Sequence, residues 1–262
     1  MTGDARFIGP AEIPAARDAH SIPLDNPLHG PPPARFRDGE VMVIQYRSDP
    51  ENIAALVPEP LVPLNDTVLV QIARWGDVPG LGRDTHEVNV MVAVRFENKH
   101  GSYSPYFFVD SDRAMAGGRE FHGQPKRMAE VRLETRGDLI VGTLRRNGID
   151  VFTGTLPYKP RPASIGDVRR RVDFVTNINL KIIPQIDGRP GLRQLTARDL
   201  TDIEVAGCWT GPGTARVEPN AQAPLYRLPV LEQLEGYYWL GEFSLVGGVV
   251  LHDYTAADGG VR

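Results

Sequence analysis

The chain has 262 residues, 41% hydrophobic and 24% charged, with a net charge of −4, the balance of a soluble globule with a sizeable core. Acids and bases are interspersed, so no basic face advertises nucleic acid and no polybasic arm points to a membrane. A single cysteine, Cys208, excludes an internal disulfide and a cysteine-based zinc site; it reads as a small buried apolar residue and fits a reducing cytoplasm.

The 27 glycines and 23 prolines imply many turns and short elements. The N-terminus, MTGDARFIGPAEIP, has charges and prolines where a signal peptide needs an apolar run, and no apolar stretch is long enough to span a bilayer. A cytoplasmic location follows as the expectation. Residues 1–35 hold Pro10, Pro14, Pro23, Pro27, Pro31, Pro32 and Pro33 and predict an extended arm that wraps a neighbour or stays loose. Residues 36–262 show no linker and no fixed repeat, and predict one domain.

Along that domain, EVMVIQYRS alternates as a strand. SDPENIAALVPEPL predicts a helix capped by Asp49, opened by Pro50 and stopped by Pro58 and Pro60. TVLVQIARW reads as a strand, and two period-2 runs around Asn98–Gly101 as a hairpin. Three further runs are separated by Arg136-Gly137-Asp138 and by Asn147-Gly148, the latter a strong hairpin signal. SIGDVRRRVDFV predicts a short helix. NINLKIIPQIDGRPGLRQLTARDLTDIEVAGCWTG predicts strands with turns at Asp187-Gly188 and Pro190-Gly191. PVLEQLEGYYWL predicts a last helix and EFSLVGGVVLHDY a final strand. Such a meander points to a mainly β (α+β) fold with few short helices and a closed or strongly curved antiparallel sheet, because an open sheet this large exposes edges.

No Gly-x-Gly-x-x-Gly follows a strand, and neither a P-loop nor a His-Glu-x-x-His is present. The six histidines lack metal spacing, so neither a metal nor another cofactor is expected. The informative segment is GREFHGQPKRMAEV, Gly118 to Val131. A Lys-Arg pair is ordinarily a solvated patch. Here Pro125 stiffens the approach, and Phe121, Met128, Ala129 and Val131 are apolar enough to carry Lys126 inward. A lysine is a nucleophile only when neutral, and moving one from its ordinary value of about 10.4 to neutrality near pH 7 disfavours the ammonium by roughly 4–5 kcal/mol. Burial does this, and a neighbouring cation adds to it. A lysine activated in this way in acetoacetate decarboxylase is a recognised general example.

The segment resembles the Gly-Arg-Glu…Pro-Lys-Lys motif of the acetoacetate decarboxylase superfamily. YRSDPENIAALVPEPL, LKIIPQIDGRP, CWTGPGTARV and the terminal HDY also match family segments in order, from about Val41 to Tyr254. The resemblance implies a closed antiparallel β-barrel or cone, a Schiff-base lysine at Lys126 inside an apolar cavity, and a homo-oligomer. It also implies a carboxylate in the site at Glu87. Three departures stand out. Arg127 replaces the second lysine of the decarboxylases, Gln71 replaces a glutamate, and an arginine before YRSD falls on or near Gly39, with Arg37 close by.

Further residues complete the expected site. His122, four residues before Lys126, would meet it on a helical turn and titrates ordinarily near 6.5, which suits acid/base work. Tyr254 would donate a phenol proton to a substrate oxygen. Arg119 and Glu120 contact substrate or form a buried pair holding the lysine segment, while Arg127 and Gln71 bind the substrate. With permanently charged Arg127 as a carboxylate clamp, the expected reaction is condensation of pyruvate with an aldehyde, then dehydration. The alternatives are decarboxylation of acetoacetate or another β-keto acid, and a non-catalytic barrel that binds a small acid.

Overall fold

The computed structural model describes residues 13–255, and the fold is mainly β. Strands are numbered in chain order: β1 Ala34–Arg47, β2 Val62–Val78, β3 Gly82–Phe96, β4 Lys99–Val109, β5 Lys126–Met128, β6 Glu130–Arg136, β7 Leu139–Arg146 and β8 Ile149–Pro157. They continue with β9 Arg161–Pro162, β10 Thr176–Pro184, β11 Pro190–Pro212, β12 Thr214–Val217, β13 Glu232–Leu245 and β14 Val249–Asp253. The larger, ten-stranded sheet follows the path β10-β11-β13-β1-β2-β3-β4-β5, with β9 and β14 also paired to β11. A parallel contact, Asn177↔Ser102 and Ile178↔Tyr103, sets β10 against β4 as well. A four-stranded sheet, β12-β8-β7-β6, packs on its outside.

Both faces of β1, β2 and β3 are therefore covered, which explains why these strands read as nearly continuous apolar runs. Met42, Ile44, Val70, Ile72, Val88 and Val90 meet Leu133, Ile140, Leu144 and Phe152 of the outer sheet. The alternate residues, among them Val43, Leu69, Ala73, Trp75, Met91 and Trp239, face the opposite interior. Cys208 belongs to that second cluster, and burial pushes its thiol up to about 11.

The helix α1, Pro50–Leu56, stands where the capping signal places it: Asp49 accepts from the backbone N–H groups of Glu51 and Asn52 at 2.8 and 3.2 Å. Helix α3, Ile165–Arg169, has the capping box of Ser164 with Asp167. The hairpin turns at 137–138 and 147–148 join strands as expected, while the turn expected at Asn98–Gly101 falls at 97–98, with Lys99 to Gly101 already paired in β4.

Three expectations are corrected. PVLEQLEGYYWL contributes to β13 instead of a helix, because Tyr237, Tyr238 and Trp239 are buried in a strand paired on both sides, by β1 and β11. EFSLVGGVVLHDY divides between β13 and β14 at Val246–Gly248. Pro190-Gly191 begins β11 and is not itself a turn.

Residues 1–12 of the expected arm lie outside the described residues. Residues 13–33 are largely irregular and rest on their own chain. The Arg113 guanidinium donates to Asn26 at 3.0 Å, and buried His29 donates to Glu120 at 3.0 Å. Among the described residues no helix is long and apolar enough to cross a membrane.

Candidate active site

Helix α2, Asp112–Gly117, starts on a Ser111 cap and runs directly into a single π-helical turn, Gly118–His122. Such turns are rare and recur at functional positions. The turn ends on Gly123 in the left-handed region, φ 73°, where an added Cβ would sit 2.5 Å from Lys181 Cβ. The chain then straightens into β5, which lies parallel to β4 with Phe107↔Lys126 and Phe108↔Arg127 in register. Alternation along β5 sends Lys126 inward and Arg127 outward.

Lys126 is 5% exposed. Its Nζ lies 4.5 Å from the centre of the Phe107 ring and donates to Glu87 Oε2 at 3.4 Å. Glu87 is also buried, on β3 opposite Ala73 of β2 and Val109 of β4. Its other oxygen accepts the indole N–H of Trp75 at 3.0 Å, so the carboxylate is held from one side and offered to the lysine on the other. Burial pushes the Lys126 pKa down; Glu87 opposes this and the Arg198 guanidinium adds to it. The net direction is toward a neutral amine.

Lys126 stands where two spaces meet. An inner chamber of about 30 Å³ is lined by Gln71, Glu87, Asn89, Phe107, Phe174 and Arg198 among others. An outer space of about 110 Å³ is bordered by His29, the Pro31–Pro33 run, Phe121 and His122. Phe36, Gln124, Lys126 and Leu245 border both. Two buried carbonyl oxygens, Asn89 Oδ1 and Gln124 Oε1, have no hydrogen-bond partner. A buried amine with a lowered pKa, a carboxylate and polar acceptors in a small space suit imine chemistry on a small carbonyl compound.

The expected site residues divide. Lys126, Glu87 and Gln71 come together as anticipated. His122 borders the outer space, but burial first, then Arg198, Lys126 and other cations, pull its pKa down to about 3. It is a neutral wall residue near pH 7, not an acid titrating near 6.5. Arg127 is exposed and donates to the Gln222 carbonyl at 2.7 Å, so neither the clamp nor the neighbouring-cation effect comes from it. Tyr254 lies at the surface, with its hydroxyl on the Glu59 carbonyl. Arg119 and Glu120 do not form a buried pair. Exposed Arg119 donates to the Lys126 carbonyl at 3.3 Å, bracing β5, and Glu120 accepts from His29.

Neither candidate for the missing arginine enters the site. An added Cβ at Gly39 would lie 2.4 Å from the Trp75 ring, so no side chain fits there. Arg37 pairs with Asp77 at the surface, at 3.2 Å.

Four lining or supporting residues were not anticipated: Trp75, Asn89, Gln124 and Arg198. Asn89 was legible, because EVNVM places it two residues after Glu87 on the same strand face. Arg198 had no local signal; only the tertiary pairing of β10 with β11 brings it to the chamber. Among the described residues no three His, Cys, Asp or Glu side chains converge as metal ligands.

The comparisons with known proteins assign this mainly β fold, with its buried lysine and carboxylate, to one class of lyase. The acetoacetate decarboxylase family model matches residues 21–255. Acetoacetate decarboxylase 1 of Mesorhizobium japonicum is 39% identical over 238 residues, covering 91% of this chain and 96% of its own. The crystal structure of acetoacetate decarboxylase from Legionella pneumophila superposes with a TM-score of 0.83 at 34% identity, covering 87% of this chain and 91% of that one. The enduracididine biosynthesis enzyme MppR, solved with pyruvate, shares the fold at TM-score 0.78 and 23% identity, over 90% of this chain and 98% of that one. The chain belongs to the acetoacetate decarboxylase family and is an enzyme of the lyase type.

Two expectations follow from this geometry. An added Cβ at Gly118 would lie 2.5 Å from Lys126 Cδ and 2.8 Å from Lys126 Cε and Gln124 Oε1. In Gly118→Ala the flexible lysine gives way before the backbone does. Imine formation should slow on the order of a hundredfold, the scale of a misplaced reacting group, with the circular dichroism spectrum retained. Borohydride trapping read by intact mass checks it, and an unchanged rate would show that the lysine's position is not set by this contact.

The second concerns acid. His122 binds its proton only near pH 3 when folded but near 6.5 when unfolded, so between these values the unfolded state holds more protons and stability falls as pH falls. Thermal unfolding scanned from pH 7 to 4 should show a smaller loss of Tm in His122→Asn than in the wild type.

Proposed function

We propose that the protein decarboxylates a small β-keto acid, acetoacetate or a close analogue, through an imine on Lys126. One observation carries this reading: the Lys126 amine is buried in a small apolar chamber against Glu87, while Arg127 points away from it. The condensation reading drew on Arg127 as the clamp, and that side chain lies outside the chamber. Relatives named acetoacetate decarboxylase at 37–39% identity support the same direction.

The amine of Lys126 attacks the ketone carbon; with one proton taken up, iminium and water form. The iminium then withdraws the electron pair of the adjacent carbon–carboxylate bond, CO₂ leaves, and a neutral enamine remains. A proton added to the enamine carbon regenerates an iminium, and water releases the ketone and the free lysine. The sum is one keto-acid anion and one proton giving one ketone and CO₂. Glu87, fixed by Trp75 and touching Nζ, serves as the group that moves protons between these states. Gln71 holds a substrate oxygen from the chamber wall. Apolar walls favour the step that discharges the carboxylate, because the charged ground state loses its hydration there. Closure of the large sheet into a cone around the lysine is part of this proposal and is supported by the β4–β10 contact. The homo-oligomer and the cytoplasmic setting implied by the family resemblance are carried with it.

The test combines trapping and turnover. Borohydride with acetoacetate should add a covalent mass at Lys126 that is lost in Lys126→Gln. CO₂ release should accompany it in the wild type. Glu87→Gln should still trap the imine but release CO₂ at least about a hundredfold more slowly, the scale of a lost general acid/base. Growth of a conjugated product's ultraviolet absorbance from pyruvate and an aldehyde, without CO₂ from acetoacetate, would move the assignment to condensation.

A further inference from the structure

Arg198 lies on β11 opposite Asn177 of β10. Its strand neighbour Ala197 enters the core between the sheets, so alternation turns Arg198 to the face that lines the chamber with Lys126, Glu87 and Gln71. The residue is 9% exposed. A guanidinium carries five N–H donors, yet its side-chain hydrogen bond is a long one, Nη2 to Asn177 Oδ1 at 3.4 Å. Nε and Nη1 are buried without a partner. No carboxylate among the described residues lies within ion-pair distance of it, and the nearby Glu87 is engaged by Trp75 and Lys126. A buried guanidinium with unmet donors is costly unless an anion meets it.

We propose that Arg198 receives the carboxylate of the oxo-acid substrate while the ketone carbon meets Lys126. This rests on the reading of Lys126 as the imine-forming group. Burial pulls the Arg198 pKa down to about 10, against Glu87 and Asp199, which leaves it charged at neutral pH. The same charge serves two stages. Before substrate binds, it works against a second cation in the chamber and adds to the downward pull of burial on the Lys126 pKa. Once a carboxylate has paired with Arg198, the field is compensated, and the iminium cation that develops on Lys126 is opposed less. Arg198 meets the carboxylate already in the ground state. Its contribution therefore falls on substrate binding more than on the bond-breaking step.

The test reads carboxylate recognition without the imine. In a Lys126→Gln background, calorimetry with acetoacetate should give measurable binding that weakens about 10- to 100-fold in Lys126→Gln/Arg198→Gln, the scale of a lost charge-assisted hydrogen bond. Neutral acetone should be indifferent to the second substitution. In the otherwise wild-type chain, Arg198→Gln should raise KM for acetoacetate more than it lowers kcat, and Arg198→Lys should restore part of the loss. Equal weakening for acetone and acetoacetate, or no binding of acetoacetate in the Lys126→Gln background, would overturn the assignment. So would unchanged affinity in the double variant. If no imine can be trapped but the Arg198-dependent binding persists, the proposed reaction fails while this inference stands. Thermal unfolding of each variant identifies any that lost the fold, and Arg198→Lys then carries the test.

Discussion

The arrangement depends on one electrostatic constraint: an amine is held where burial works against its protonation. A carboxylate at 3.4 Å would ordinarily stabilise the ammonium, and Glu87 does pull in that direction. Burial outweighs it because Phe107 lies against the amine, Trp239 and Phe243 line the chamber, and the arm residues border the outer space. Much local structure serves that balance. The π turn and Gly123 deliver the chain to β5, Gly118 leaves room for the lysine stem, and Trp75 restrains the carboxylate from closing further.

That constraint also explains why the site sits where it does in the sheet. The outward face of β1–β3 is filled by the second sheet and is uniformly aliphatic. The inward face has the same alternation but is interrupted at Gln71, Glu87 and Asn89, three buried polar residues on adjacent strands and close in register. Buried polar groups are tolerated where partners or ligands meet them, and Asn89 and Gln124 each keep an unpaired oxygen at the chamber.

The sequence carried the strands, α1 with its Asp49 cap, α3 and the tight hairpins, because these rest on local chemistry: alternation, capping oxygens and glycine at positive φ. The lysine and the first carboxylate were legible through motif and spacing. PVLEQLEGYYWL misled because its charged residues mimic an amphipathic helix, whereas three consecutive aromatics are buried only by pairing on both edges. Arg127 misled for a related reason. Adjacency in sequence suggests adjacency in space, but in an extended segment the next residue points the other way. Tyr254 follows the same logic at the end of β14, where the chain has already reached the surface.

The cation that acts on Lys126 is not its sequence neighbour: Arg198 lies seventy-two residues later, across the pairing of β10 with β11. Its placement matters chemically. A cation beside the lysine on β5 would move with the nucleophile and face the same part of the substrate. One on another strand acts from a different wall, leaving the chamber between the two groups for a small oxo acid. Charge at one end and nucleophile at the other would orient such a molecule without further contacts. The carboxylate's departure as CO₂ would then restore the unpaired guanidinium, which disfavours the neutral product's retention relative to the next anionic substrate.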